Sequence, residues 1–138
     1  MLQQPKSTKF RKKFRRQLKR VSPRVNSLKF GIYGLQALES GYISAKIIES
    51  SRQFLARSLK RGAKIWVCIF PDHPITSKPS EVRMGKGKGA VDFWASKVQK
   101  GTILFEVAGP NASLIFKALK SLSFKIPVAV SVLQKPKI

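Results

Sequence analysis

The chain has 138 residues and 43% hydrophobic content, which is enough for one domain with its own hydrophobic core. Its charge is the outlying property, because 28 lysines and arginines stand against 6 acidic residues and predict a polyanionic partner, either nucleic acid or an anionic membrane. The single cysteine excludes an internal disulfide and a cysteine-rich zinc site, and no apolar run reaches the ~20 residues that span a bilayer.

Residues 1–26 form a basic segment that we predict to be an RNA-binding N-terminal arm. No acidic residue precedes Glu39, so nothing within the segment neutralises its cations. Phe10, Phe14 and Leu18 recur at a helical spacing, which predicts a short helix around them with a thin apolar stripe. A solvated arm without a partner is the alternative interpretation.

Residues 27–138 are predicted to fold as one α+β domain. The first part, residues 27–38, is typical of one or two short strands, and Gly41 indicates a turn. A helix is predicted to begin after the N-cap residue Ser44 and to end before Gly62 at its C′ position. Its core stripe is Ile47, Ile48, Ser51, Leu55 and Leu59.

The second half of the domain adds strands and one more helix. Residues 64–70 form a run that is apolar on both faces, which predicts a central strand with Cys68 packed in the core. Three prolines then divide the chain into short extended pieces. After them we predict strands over residues 91–98, 102–108 and 126–133. Between the second and third of these strands we predict a helix with Pro110 in its first turn. The core stripe of this helix is Ala112, Ile115, Ala118, Leu119 and Leu122.

Residues 83–89, with the sequence RMGKGKG, form a basic glycine loop between two strand-like segments. Glycine permits positive φ and close approach to another surface, but it loses much conformational entropy when it is ordered. A polyanion gripped by the lysines offsets that cost, so we predict a flexible loop that binds nucleic acid. No Ser or Thr follows Lys88, which argues against a phosphate-binding loop of nucleotide enzymes. A surface loop without a role is the alternative.

Catalysis has little support in the sequence. His73 is the only histidine and is predicted to lie in a turn, and the acidic residues show neither a close pair nor metal-ligand spacing. We therefore expect no enzyme activity, no metal and no cofactor. Trp66 and Phe105 are predicted to be core residues, and at most one of Phe93 and Trp94 is expected to face RNA.

Two motifs carry a resemblance to a known family. Residues 60–67 (KRGAKIWV), continuing through Phe70-Pro71-Asp72, resemble one signature of the large-subunit ribosomal protein L-sixteen family. The glycine loop, followed by Trp94, resembles the other. The opening of the chain is similar as well, and the resemblance extends to about Val132.

The resemblance implies a mixed α/β fold of the hammerhead type and a structural role in the large ribosomal subunit. Large-subunit ribosomal RNA, neighbouring large-subunit proteins and, transiently, tRNA are the implied partners, with the loop directed toward the tRNA sites near the peptidyl-transferase centre. No catalysis and no membrane partner are implied. The RNA-binding residues are Lys6, Lys9, Arg11, Lys12, Lys13, Arg83, Lys86 and Lys88, to which we add Arg15 and Arg16 of the arm and the loop glycines Gly85, Gly87 and Gly89.

Departures from the family pattern favour an organellar member. Cys68 occupies a strand position that is normally basic, and residues 15–20 replace a glycine-containing basic stretch. We expect a mitochondrial ribosome, with a plastid or bacterial cytoplasmic ribosome as the alternative. Neutralising Lys86 and Lys88 is expected to weaken tRNA accommodation more than subunit incorporation.

Three other functions compete with the ribosomal one. They are a non-ribosomal RNA-binding or RNA-chaperone module, a peripheral membrane protein held by its basic arm, and an enzyme whose loop binds a phosphorylated ligand.

Overall fold

The computed structural model describes residues 4–19, 21–22 and 26–136, and within them it shows seven strands and two helices. The mixed α+β fold with two amphipathic helices and antiparallel sheets confirms the predicted fold class. Neither helix is long and apolar enough to cross a membrane. The elements are β1 (Tyr33–Ala37), β2 (Gly41–Ser44), α1 (Ala45–Ser58), β3 (Lys64–Val67), β4 (His73–Ser77), β5 (Ala90–Val98), β6 (Ile103–Ala108), α2 (Ala112–Ser123) and β7 (Val130–Gln134).

The strands form two antiparallel sheets. The four-stranded sheet has the order β3-β6-β1-β7, and the three-stranded sheet has the order β2-β5-β4. β5 and β6 follow one another in the chain but lie in different sheets, so the turn at residues 99–101 moves the chain from one sheet to the other. Gly101 in that turn has a φ of +89°, a conformation that favours glycine.

The two helices pack against each other and cover one face of the four-stranded sheet. Leu55 of α1 and Leu119 of α2 are fully buried, in one cluster with Leu35 of β1 and Phe105 of β6. Leu35 is paired in register with Phe105, so both sheet residues face the helices. Each such side chain contributes about 1.5–3 kcal/mol by leaving water.

Helix α1 begins where the sequence predicts, because the Ser44 side chain accepts a hydrogen bond from the backbone N–H of Ile47. Its end was predicted wrongly. The left-handed residues are Lys60 and Arg61, with φ of +49° and +59°, and Gly62 is not among them. The steric penalty for a non-glycine residue there is only about 1–2 kcal/mol, which is comparable to the gain from burying one large side chain nearby.

Helix α2 begins later than predicted. Asn111 is its N-cap and accepts a hydrogen bond from the backbone N–H of Leu114 at 3.2 Å, so Pro110 lies before the helix rather than in its first turn. Ala112 is exposed and was wrongly assigned to the core stripe. The remaining four residues of that stripe are buried as predicted.

Strand β3 was predicted to be central but lies at an edge of the four-stranded sheet, where it pairs only with β6. A strand that is apolar on both faces is expected to be covered on both faces of the sheet. This pattern does not indicate whether the strand has one neighbouring strand or two. Ile65 packs toward the helices, while Trp66 is covered on the opposite face by Phe30, whose ring centroid lies 6.1 Å from that of Trp66. The strand ends at Val67, short of the predicted residue 70.

Three further predictions about local structure were wrong. Gly41 opens β2 instead of forming a turn, and His73 opens β4 instead of lying in one. Residues 126–129 precede β7, which was predicted to include them.

The predicted helix in the arm is absent from residues 7–19. Phe10 and Phe14 are 65% and 79% exposed, so the apolar stripe has nothing to pack against. Like charges one helical turn apart, such as Arg11 and Arg15, would also destabilise a short helix that has no acidic partner. Residues 1–3, 20 and 23–25, which belong to the predicted arm, lie outside the described residues.

A buried carboxylate lies on the face of the four-stranded sheet opposite the helices. Glu106, on the central strand β6, is 2% exposed. Its oxygens accept hydrogen bonds from the backbone N–H groups of Lys29 at 3.1 Å and of Phe30 and Gly31 at 2.7 Å each. Burial acts to raise the pKa of Glu106, but these three donors outweigh it and hold the pKa below its ordinary value of 4.5.

Glu106→Gln keeps the size of the side chain and removes its charge. We expect this variant to lower the free energy of unfolding at neutral pH by about 2 kcal/mol, because three N–H groups lose a charged acceptor. Because the pKa is lower in the folded state, the stabilisation is present above the ordinary value of 4.5 and is lost as the pH falls through the folded-state pKa.

Urea unfolding of both proteins at neutral pH and at about pH 3 measures this effect, and the difference between them should shrink in acid. The exposed Glu81→Gln is the matched control and should change stability by less than about 0.5 kcal/mol. An equal loss at both pH values would contradict the role given to Glu106.

Candidate nucleic-acid interface

The arm lies against the three-stranded sheet. The Tyr42 hydroxyl on β2 donates a hydrogen bond to the backbone carbonyl of Arg16 at 2.9 Å. The guanidinium of Arg15 lies 5.1 Å from the centre of the same ring, a cation–π distance. Further along, Ser22 donates its backbone N–H to the carbonyl of Lys100 at 2.8 Å. Tyr42 thus contacts the middle of the arm through both Arg15 and Arg16.

The glycine loop is the connection between the paired strands β4 and β5. Gly85 and Gly87 have φ of +98° and +86°, and Lys86 between them has +53°, so the tip runs through left-handed conformations. A Cβ on either glycine would meet no atom within 4 Å. At these two positions glycine is therefore favoured by the backbone conformation, whereas a side chain would meet no steric clash.

Gly89 has a different role at the base of the loop. A Cβ there would lie 2.2 Å from the carbonyl oxygen of Ser77, closer than real atoms approach. The glycine thus allows the two ends of the hairpin to close on each other, while its φ is not in the left-handed region. On the opposite side of the loop, Lys78 Nζ donates to the carbonyl of Gly85 at 2.7 Å and supports the turn.

Arm and loop contact each other directly. Lys12 Nζ donates to the carbonyl of Lys88 at 2.9 Å, and Lys88 Nζ donates to the carbonyl of Lys13 at 2.6 Å. The ammonium group of Lys88 also lies 4.4 Å from the centre of the Phe14 ring. Three of the residues predicted to bind RNA are brought together in this way. These three residues are exposed, and so are the other predicted cations, which are Lys6, Lys9, Arg11, Arg15, Arg16, Arg83 and Lys86.

Among the described residues, no cation of the arm or the loop forms an ion pair with a carboxylate. Within the part of the chain that the structure describes, the one ion pair joins Glu49 and Arg52, both on α1. The Arg52 hydrogen bond and charge lower the pKa of Glu49. The described residues also contain no group of three or more His, Cys, Asp or Glu side chains that could hold a metal. Positive charge on arm and loop is left for an external anion.

Sequence reasoning missed the position of His73. The residue is 8% exposed, its ring centroid lies 5.2 Å from that of Tyr42, and its Nε2 has no hydrogen-bond partner among the described residues. Burial lowers the pKa of His73, and the nearby charge of Lys13 lowers it further. The sequence around the residue gave no signal of this, because the burial depends on neighbours that are remote in the chain.

Sequence reasoning also missed Glu106, although a signal was present. A lone carboxylate inside the apolar run of β6, in a chain so poor in acidic residues, indicates a buried acceptor. Beside it, burial raises the pKa of the Cys68 thiol to about 12, and the charge of Glu106 adds to the shift. The thiol is therefore protonated at neutral pH.

The aromatic residues divide between core and surface. Phe105 is 1% exposed and lies in the core as predicted. Trp66 was also predicted to lie in the core but is only half-buried; Phe30 stacks on it, and Lys64 Nζ lies 5.2 Å from its ring centre. Phe93 is exposed, and its neighbour Trp94 is half-buried.

An α+β domain whose uncompensated cations gather on an extended arm and a hairpin loop belongs to the class of basic, polyanion-binding folds. Comparison with known proteins gives the particular family. The model of the family "Ribosomal protein L16p/L10e" matches residues 5–133. The chain belongs to this family, which confirms the resemblance seen in the sequence.

Individual relatives agree along nearly the whole chain. The large ribosomal subunit protein uL16 of Francisella tularensis subsp. novicida is 46% identical over 132 residues, which are 96% of this chain and 96% of the relative. The protein of the same name from Azorhizobium caulinodans has the same identity and coverage. That of Francisella philomiragia is 45% identical over the same length.

Gly89→Ala tests whether the loop depends on a close approach at its base. We expect a loss of about 1–3 kcal/mol in the free energy of unfolding, because the new Cβ must displace the Ser77 backbone. Gly62→Ala is the control, since its Cβ would lie 3.5 Å from the Leu59 carbonyl oxygen, an ordinary contact. Urea unfolding midpoints measure both, and equal midpoints would refute the distinction.

Proposed function

We propose that this chain is a structural constituent of the large ribosomal subunit. In this proposal residues 1–26 bind large-subunit ribosomal RNA as an arm, and residues 27–138 pack on the RNA surface. The glycine loop extends toward the tRNA sites near the peptidyl-transferase centre. Membership in a family of ribosomal proteins supports the proposal, as do three bacterial relatives whose names place them in the large subunit. The protein itself catalyses nothing in this account.

One observation carries the proposal, namely the direct contact between the basic arm and the basic loop through Lys12, Lys13 and Lys88. A chain that did not bind a polyanion would gain nothing by gathering like charges on one surface, since they repel each other. A nucleic acid that neutralises them releases condensed counterions, and its affinity falls steeply with salt. Folded RNA suits this surface because it is recognised largely by shape and backbone.

The loop cations divide into two sets in this proposal. Lys88 Nζ is engaged with the arm, so Lys88 fixes the position of the loop relative to the arm. Lys86 and Arg83 are exposed on the loop and are available to a ligand beyond the arm. We assign ribosomal RNA to the arm side and tRNA to the exposed side.

The compartment is part of the proposal. We infer an organellar ribosome from the departures from the family pattern at Cys68 and in residues 15–20, and a mitochondrial one because Lys86 stands where plastid members often carry a serine. The three relatives named above are bacterial. A bacterial cytoplasmic or plastid ribosome is therefore the alternative, and the origin of the particle that carries the chain decides between them.

Sedimentation of a native lysate tests the function. At low Mg²⁺ and moderate salt, we expect the chain to peak with the large subunit and not with the small one. Lysates of purified mitochondria and of the remaining cytoplasm, run in parallel, identify the compartment. A chain that stays at the top of the gradient, unchanged by nuclease, would overturn the proposal in favour of a membrane-bound protein or an enzyme. A chain at the top only after nuclease treatment would indicate a free RNA-binding module.

The double variant Lys86→Gln/Lys88→Gln tests the proposed division of labour. We expect tRNA affinity of the variant subunits to fall about tenfold, the effect of one charge-assisted hydrogen bond, while incorporation falls less. Lys86→Gln alone should account for most of the loss of tRNA affinity, because Lys88 is engaged with the arm. Filter binding of tRNA to purified subunits measures the first effect, and the amount of the chain in the large-subunit peak measures the second.

The control for this pair is Lys117→Gln, which removes one exposed charge from α2. It should leave tRNA affinity within about twofold of the unmodified chain. Equal losses of incorporation and tRNA binding in the double variant would contradict separate roles for arm and loop.

A further inference from the structure

A cleft of about 480 Å³ lies between the arm and the three-stranded sheet. The arm supplies one wall, and the start of β4 and the end of β5 supply the other. Asp72 is the one acidic residue among those that line it. The lining residues are Phe10, Lys12, Lys13, Phe14, Arg16, Asp72, His73 and Lys97.

His73 gives this cleft a feature that a merely basic surface lacks. Its side chain is more than nine-tenths buried, and its Nε2 has no hydrogen-bond partner among the described residues. A buried polar atom left without a partner costs about 1–3 kcal/mol. Tyr42 packs against the ring at 5.2 Å and keeps it in place. His73 thus lines the cleft with a buried Nε2 that makes no hydrogen bond to the described residues, and a ligand in the cleft that reaches this atom would satisfy it.

The charges around His73 come from separate elements. The arm contributes Lys13, β5 contributes Lys97, and the loop contributes Lys88, and each of them disfavours the protonated ring. Asp72, directly before β4, acts in the opposite direction. Lys12 and Arg16 of the arm also line the cleft. An anion placed here is therefore attracted by the four lining cations and by the nearby Lys88, and it is repelled by the single carboxylate of Asp72.

We propose that this cleft binds a phosphate group of an RNA strand, with His73 Nε2 as a hydrogen-bond donor and with Lys13 and Lys97 as charge partners. The inference rests on the proposed function and assigns a specific site within it. A phosphate oxygen accepts several hydrogen bonds at once, which suits donors that converge from arm and sheet. The volume also leaves room for the attached nucleoside, and the exposed rings of Phe10 and Phe14 offer stacking surfaces for a base.

Binding in this cleft is linked to protonation of His73. In the free protein, burial and the surrounding lysines hold the pKa of His73 below its ordinary value of 6.5. A bound phosphate adds negative charge beside the ring and favours the imidazolium, so the pKa rises in the complex. By linkage, a group whose pKa rises on binding strengthens the complex as the pH falls.

Nuclear magnetic resonance of the ring tests the site directly, because His73 is the only histidine and its ring signals need no assignment. The full chain is titrated with a short oligouridylate at constant salt, at about pH 5.5 and pH 8. We expect the ring signals to shift in a saturable manner and the pKa of His73 to rise. The affinity should be at least about threefold higher at the lower pH. Uridine without phosphate should produce no shift.

Variants separate this site from the general charge of the protein. His73→Phe keeps an aromatic ring against Tyr42 and should abolish the extra affinity at low pH. Lys97→Gln should weaken binding about threefold or more, whereas Lys117→Gln on α2 should change it by less than about twofold. The measurement on the unmodified chain stands even if a variant fails to fold.

Three outcomes would overturn the assignment of the site. They are ring signals that stay fixed while the oligouridylate saturates the protein, a pH dependence retained in His73→Phe, and an equal shift with uridine. A chain that sediments with the large subunit while its ring signals stay fixed would overturn this site alone. A chain absent from the large subunit whose His73 still responds would overturn the proposed function alone.

Discussion

The carboxylate of Glu106 joins the chain that follows the arm to an interior strand of the four-stranded sheet. It sits on β6, which is paired on both sides, and it accepts the backbone N–H groups of three consecutive residues, Lys29 to Gly31. A buried charge is tolerated only when hydrogen bonds replace its hydration, and three converging donors do so here. These three hydrogen bonds hold residues 29–31 against the outer face of the sheet, where the Phe30 ring stacks on Trp66.

Because the chain has few acidic residues, most of its cations remain available to an external anion. Glu106 is buried against backbone, and Glu49 is paired with Arg52 on α1, so neither compensates the charge of the arm or the loop. The net charge of +22 is therefore carried on the surface and opposes the compact state. The apolar core between helices and sheet must supply the stability that the charges remove. A partner that neutralises the surface would stabilise the fold by an amount that depends on its concentration and affinity.

The sequence predicts local features of this fold well and relations between remote segments poorly. The stripe of α2 from Ile115 to Leu122 and the N-cap at Ser44 are correct because spacing and capping act within a few residues. The edge position of β3 was missed because an apolar run does not reveal how many neighbours a strand has. The arm helix was predicted from spacing alone, although repulsion between its cations decides against it. His73 was missed because the arm and Tyr42, which surround it, are distant in sequence.

The contact between arm and loop changes how the loop must be understood. The sequence alone predicts an independent, flexible loop whose glycines are ordered only when a ligand binds. In the structure, Lys88 is already bonded to the arm and stacked near Phe14, so part of the ordering cost is met before any ligand binds. The lysines that make this contact donate to backbone carbonyls, which leaves their mutual repulsion uncompensated. An anion bound to the arm relieves that repulsion and strengthens the arm–loop contact, so RNA held on the arm side also holds the exposed tip in position for a second ligand.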